Sequence, residues 1–266
     1  MIAETRGVSS DIRAIREAAA PARLEWRVAK VVDVRDETPR ARTFVLDVPH
    51  WPGHHAGQHV DVRLVAEDGY QAQRSYSIAS PPEDRTVSLT VERLDDGEVS
   101  PYLVDVLRRG NGLEIRGPIG GYFVWDVAVG GPLLLVAGGS GIVPLMAMLR
   151  RHARADASAR AGVPVRLLYS ARSPDDAIYR AELDQLADPP LVEVVFTFTR
   201  SAPPTWTGHR RRIDRAMLDS VGWPAFDAPH VYVCGPTVLV DSVASLLVEL
   251  GHEASRVRTE RFGPTG

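Results

Sequence analysis

From Val127 to Leu149 the chain carries no charged side chain, which is nominally enough apolar length to span a bilayer. Gly130, Gly131, Pro132, Gly138, Gly139, Gly141 and Pro144 interrupt it repeatedly, so a single membrane helix does not fit. A buried strand "LLLVA" (133–137), a glycine turn and a helix beginning in "PLMAMLRRHA" fit better. A strand with no polar face must be covered on both sides, which is the habit of parallel sheets flanked by helices.

The same rhythm continues downstream. "VRLLYS" (165–170) leads into "SPDDAIYRAELDQL", with Ser and Pro at the expected helix start. "VEVVFTFT" (192–199) and "HVYVCG" (230–235) read as further buried strands. The last leads into a helix with Leu239, Val243, Leu246, Leu247 and Leu250 on one face, closed by Gly251. Residues 128–266 are therefore expected to form an α/β domain, a parallel sheet with helices on both faces.

Residues 23–127 follow a different pattern. "WRVAKVVDVRD", "ARTFVLDV", "QHVDVRLVAE", "QRSYSIAS", "TVSLTVERL" and "GLEIRGPI" are short, β-branched or alternating, with turn residues between them. They predict a six-stranded antiparallel β-barrel with one helix. Ser100 is placed to cap that helix, Pro101 to open it and Gly110 to follow its end. Residues 9–20 suggest an amphipathic helix ended by Pro21, within an N-terminal arm over residues 1–22.

Composition excludes several classes. A net charge of −3 gives no electrostatic argument for nucleic acid or an anionic membrane surface. Lys30 is the only lysine, a bias of the kind a GC-rich genome imposes, so arginine abundance alone carries little functional meaning. Cys234 is the only cysteine, which excludes disulfides within the chain and a four-cysteine iron–sulfur cluster. No metal site is expected. The N-terminus lacks the apolar core of a signal peptide, and the expectation is a cytoplasmic monomer without a membrane span.

Three constellations carry chemistry. Gly138, Gly139 and Gly141 stand at a strand's carboxyl end, where backbone N–H groups and the following helix start can receive a pyrophosphate. The spacing is not GxGxxG, and a ligand-free tight turn explains it equally well. After the next strand come Ser170 and Arg172, with no acid before Asp175, a pattern that leans toward NADPH rather than NADH. Arg200, just past the third strand, is a second candidate for the extra phosphate. Cys234 before Gly235 and Pro236 is either a small buried filler or a packing surface for a planar ring. In the first half, Gly97 and Ser100 at the helix start offer a second place for phosphate; capping and binding are compatible roles for Ser100.

Taken together, the motifs resemble the ferredoxin–NADP reductase superfamily of flavoenzymes. They are "GQHVDVRL" (57–64), "RSYSIAS" (74–80), "GEVSPYL" (97–103), "GPIGGYF" (117–123), "AGGSGIVP" (137–144), "YVCGP" (232–236) and "ERFG" (260–263), in order. The resemblance implies FAD in the barrel and NAD(P)H on the parallel sheet, with the two rings meeting between domains. It places Arg74 toward the flavin pyrophosphate, Tyr76 along the ring and ribityl chain, and Ser77, followed by Ile78, near the N5 atom that receives hydride. Val91 and Arg93 would border the flavin and its phosphates, and Gly97, Glu98, Val99 and Ser100 would hold the pyrophosphate. Gly139, Ser140, Gly141, Ile142 and Pro144 would face the NAD(P)H pyrophosphate, and Cys234 would lie beside the nicotinamide. Glu260 would assist nicotinamide binding, and Phe262 would stack on the flavin. Unlike plant-type members, the chain continues for four residues past that aromatic, and with one cysteine it cannot carry a fused plant-type ferredoxin domain.

The implied activity is electron transfer from NAD(P)H through flavin to an external one-electron carrier such as a ferredoxin, a flavodoxin or a partner oxidoreductase. Alternatives are reduction of a small molecule (free flavin, a quinone, a ferric chelate) and service as the reductase of an oxygenase, haem or molybdenum enzyme. A flavin-binding module without activity is disfavoured by the intact nicotinamide-side motifs.

Overall fold

Eleven strands account for the architecture of residues 24–263, the range described by the computed structural model. The expected arm helix over 9–20 lies outside that range. The chain divides into two units, one running to Asp126 and including Met146–Arg151, the other comprising Val127–Leu145 and His152 onward.

The first unit is a six-stranded antiparallel sheet of β1 (Trp26–Thr38), β2 (Ala41–Asp47), β3 (His59–Val65), β4 (Gln71–Ser77), β5 (Val87–Glu92) and β6 (Gly112–Ile119). Their spatial order is β4-β3-β6-β1-β2-β5. The two outer strands approach through an antiparallel bridge between Ile78 and Leu89, and the Ala79 N–H donates to the Ser88 carbonyl at 2.8 Å. The strand period of two puts Ala29, Val31, Phe44, Leu46, Val60, Val62, Leu89 and Ile115 on one inner face, where all are buried. Each large aliphatic or aromatic residue there contributes roughly 1.5–3 kcal/mol.

One helix, α1 (Ser100–Asp105), packs Leu103 and Val104 into this core. Its start differs from the expected one. Ser100 lies inside the helix and its hydroxyl accepts from the Leu94 N–H at 3.0 Å, while Val99 takes the flanking position without a side-chain cap. The helix ends at Asp105, five residues before Gly110, because Val106 and Leu107 both donate to the Tyr102 carbonyl and tighten the last turn.

The second unit is an all-parallel sheet of β7 (Leu133–Gly138), β8 (Val165–Ala171), β9 (Val192–Phe198), β10 (His230–Pro236) and β11 (Val257–Phe262), in the order β11-β10-β7-β8-β9. The apolar stretch that nominally could span a bilayer is β7, a 3-10 turn at Gly139–Gly141 and helix α2 (Ile142–Arg154). No described helix is long and apolar enough to cross a membrane. Four more helices follow: α3 (Ala157–Ala161), α4 (Arg180–Leu186), α5 (Arg215–Val221) and α6 (Thr237–Glu249). Leu134, Val136, Val231 and Val233 pack with Met217 and Leu218 of α5 and Val240, Val243 and Leu247 of α6. The opposite parity, Leu133, Leu135, Leu167 and Tyr232, is equally buried, so both faces are covered.

Two helix boundaries show how the local signals work. Gly251 does close α6: at φ +96° it lets its own N–H reach the Val248 carbonyl and the His252 N–H reach that of Leu247. Ser173 and Pro174, by contrast, open only a 3-10 turn over Pro174–Asp176, not the helix. The Tyr169 hydroxyl accepts from the Ile178 N–H at 3.1 Å, Tyr179 turns left-handed at φ +61°, and α4 begins at Arg180.

Candidate functional site

In the first unit the Arg-Ser-Tyr-Ser segment ends β4 with its side chains on alternating faces. Ser75 donates to the buried Asp61 carboxylate at 2.7 Å, and Arg116 reaches the other Asp61 oxygen at 2.7 Å. On the opposite face Tyr76 packs against the inner core. Burial pushes its phenol above the ordinary range, with Arg74 opposing the shift, so the hydroxyl is a neutral donor. Ser77 is buried at the strand's end. Ile78 and Val91 are wholly buried core residues, which leaves their backbones rather than their side chains for any ligand.

Several charged groups of this unit pair off. Arg74 extends into solvent, where Nη2 donates to Glu98 Oε2 at 2.8 Å and Nη1 to the Gln73 carbonyl at 2.7 Å. The Tyr70 hydroxyl donates to Glu98 Oε1 at 2.9 Å. Arg93 pairs with Asp105 at 2.9 Å and with Asp95, and Arg40 joins Asp95 at 2.9 Å. Gly97 is demanded by its own turn: a Cβ there would lie 2.9 Å from Ser100 Oγ and 3.3 Å from Leu94. Gly97 donates its N–H to the Leu94 carbonyl, so the amides of Glu98, Val99 and Ser100 are the donors this turn has to offer. Tyr70, in the turn between β3 and β4, is a participant that no sequence signal indicated.

In the second unit, parallel pairing gathers the carboxyl ends of β7, β8, β10 and β11. Gly139, Ser140, Gly141, Ile142 and Pro144 form the turn and the first turn of α2, and Gly138 pairs in register with Ser170. The glycines have a packing role beyond ligand access. A Cβ on Gly141 would lie 2.1 Å from the Cys234 carbonyl oxygen, and Gly235, at φ +156°, sits against the Gly138 backbone. Two turns thus touch backbone to backbone, which only glycine permits. Pro236 follows at an exposed position.

"ERFG" is not a loose tail but the end of β11, a strand that the sequence did not signal. Its register sets Glu260 opposite Cys234 and Phe262 opposite Pro236. Glu260 Oε2 is sealed from solvent and has no hydrogen-bond partner among the described residues. Burial pushes its carboxyl up to about 7. Burial likewise raises the Cys234 thiol well above its usual range, and the Glu260 charge adds to the effect, so the sulfur is a neutral packing atom rather than a nucleophile. An orphaned, buried carboxylate oxygen at the end of a parallel strand fits a ligand that brings its own N–H donor, such as the carboxamide of a nicotinamide.

Arg172 and Arg200 both have exposed side chains and are tied at the backbone: the Arg200 N–H donates to the Arg172 carbonyl at 2.9 Å and that of Ser201 at 3.1 Å. Two guanidiniums therefore leave adjacent loops after β8 and β9. Ser170 is buried at the end of β8.

An antiparallel barrel bearing Arg-x-Tyr-Ser, followed by a parallel sheet with a glycine turn and a Glu260–Cys234 pair on neighbouring strands, defines an oxidoreductase with one domain for a flavin and one for a nicotinamide nucleotide. Residues 28–124 match the oxidoreductase FAD-binding domain and residues 135–245 the oxidoreductase NAD-binding domain. The chain belongs to the ferredoxin–NADP reductase-like superfamily of flavoprotein oxidoreductases. It is 34% identical to ferredoxin–NADP reductase B of Sorangium cellulosum over 243 residues, covering 88% of this chain and 96% of that protein. It is also 34% identical over 244 residues to the glycine betaine monooxygenase reductase subunit of Pseudomonas aeruginosa, covering 90% of this chain but only 64% of that subunit. The FAD/NAD-binding domain of Vibrio cholerae nitric oxide dioxygenase shares the fold, with a TM-score of 0.77, 24% identity, and coverage of 90% of this chain and 99% of that one.

Proposed function

We propose that this chain takes electrons from NADPH through FAD and passes them singly to a separate redox protein, a ferredoxin, a flavodoxin or an oxygenase component. The observation that carries the nucleotide half is the sealed Glu260 oxygen beside Cys234, next to the glycine turn. Flavin, when bound, supplies the conversion between two-electron and one-electron transfer. The protein's part is binding and orientation. Arg74 and the turn from Gly97 to Ser100 would hold the flavin pyrophosphate, with Tyr76 placed for the ring and ribityl chain and Ser77 for a hydrogen bond at its reacting edge. Glu260 would accept from the nicotinamide carboxamide, and Cys234, wholly buried, would lie beneath the ring rather than at its surface. Arg172 and Arg200 together grip the 2′-phosphate, which makes NADPH the preferred donor over NADH.

Identity to a monooxygenase reductase subunit favours an acceptor within an oxygenase system over a free small molecule. Anaerobic titration of the flavin-loaded chain with NADPH and with NADH, followed by a panel of protein and small-molecule acceptors, tests both halves. NADPH is expected to bleach the flavin faster, and electrons are expected to reach an iron–sulfur protein faster than quinone or ferric chelate. Failure of both nucleotides to bleach the flavin would reject the proposal.

A further inference from the structure

We propose that the Glu98 carboxylate competes with the FAD pyrophosphate for Arg74, and so sets how tightly the chain holds its flavin. The inference rests on the reading of Arg74 as a phosphate ligand. Three side chains carry it. Arg74 Nη2 donates to Glu98 Oε2 at 2.8 Å, and Tyr70 holds the other carboxylate oxygen from behind at 2.9 Å. Arg74 Nη1 is engaged by the Gln73 carbonyl at 2.7 Å. A guanidinium grips a phosphate best through two parallel N–H donors, and here the Nη2 side of that fork faces a carboxylate.

The pair is built to be displaced rather than to stabilise the fold. Arg74 and Glu98 side chains are 54% and 51% exposed, in the regime where ion pairs are weak. Glu98 also sits between Gly97 and Val99, inside the turn proposed to hold the phosphates, so a bound pyrophosphate has a fixed negative charge beside it. Both effects, a rival anion on Arg74 and repulsion of the ligand, act in the same direction. They lower flavin affinity without touching the ring.

The test is equilibrium FAD binding to the full chain stripped of flavin, read by quenching of flavin fluorescence rather than by turnover. Glu98→Gln keeps the side-chain shape and still accepts from Tyr70, but loses the charge. It is expected to lower the Kd about two- to fivefold, the factor an exposed ion pair can contribute. Arg74→Gln is expected to raise the Kd, and in that background the gain from Glu98→Gln is expected to vanish. If Arg74→Gln weakens FAD while Glu98→Gln leaves it unchanged or weakened, Arg74 remains the phosphate ligand and the competition is rejected. A Glu98→Gln gain that persists in the Arg74→Gln background rejects it too, as a general charge effect. An unchanged Kd in Arg74→Gln overturns the phosphate reading itself, and the competition with it. Half-exposed positions tolerate both changes, and matching circular dichroism and thermal midpoints verify that the variants fold.

Discussion

Glu260→Gln isolates the most unusual group in the chain. The carboxyl is held at about 7 against an ordinary 4.5, a rise caused by burial. Below the unfolded value both states keep the proton. Between the two values the unfolded chain releases it and the folded chain does not, so stability falls as pH rises toward about 7 and is level above that. At about 1.4 kcal/mol per unit, the full effect is about 3 kcal/mol. Around pH 5 only about 1 kcal/mol is lost, and around pH 8 nearly all of it. Glutamine has no proton to lose, so the stability gap between Glu260→Gln and wild type should shift in the variant's favour by about 2 kcal/mol between those two conditions. Urea unfolding of both proteins, free of nucleotide, at each pH measures the gap. The histidines titrate in both proteins and cancel in the difference. A gap that does not change with pH would show that Glu260 ionises in the folded chain as it does in the unfolded one, and that burial of its oxygen does not raise it.

Three further outcomes follow from the geometry. Gly141→Ala drives a Cβ to 2.1 Å from the Cys234 carbonyl; it should lower stability by about 3 kcal/mol or more in thermal unfolding, and a loss under about 1 kcal/mol would show that the turns can part. Ser77→Ala should slow flavin reduction by NADPH about tenfold or more while the FAD content of the purified protein stays unchanged; wild-type stopped-flow rates would remove Ser77 from the reacting edge. Arg172→Ala should raise the KM for NADPH about tenfold and leave that for NADH nearly unchanged, since an exposed charge-assisted contact is worth about that much. Unchanged discrimination would move the 2′-phosphate away from this loop.

Much of the architecture was legible because its signals are local. The glycines after "LLLVA" break any helix, and a strand with no polar face demands cover on both sides. Gly251 closes α6 through its own positive φ. Helix starts were less legible. Ser100 and Ser173 look alike in sequence, yet the Ser100 hydroxyl accepts from the Leu94 amide inside a helix while that of Ser173 donates to the Asp176 carboxylate beside a 3-10 turn. In each case the hydroxyl's partner a few residues away in the chain, not the residue type, decides its role. β11 is not legible in the sequence because "VRTERF" has half its residues charged and no regular alternation, like many exposed segments, and only its pairing to β10 makes it a strand.

By itself the sequence determined where ten of the eleven described strands and the glycine turns lie, since those depend on backbone sterics and on spacing along the chain. Tertiary structure alone decided which side chains meet. Glu98 finds Arg74 across 24 positions, and Arg172 is tied to Arg200 where the loops after β8 and β9 run together. Glu260 comes to lie opposite Cys234 only because β11 pairs with β10 in one register. A carboxylate's proton affinity and its choice of partner depend on what surrounds it within a few ångströms, and those neighbours are set by strand order and register rather than by proximity in sequence.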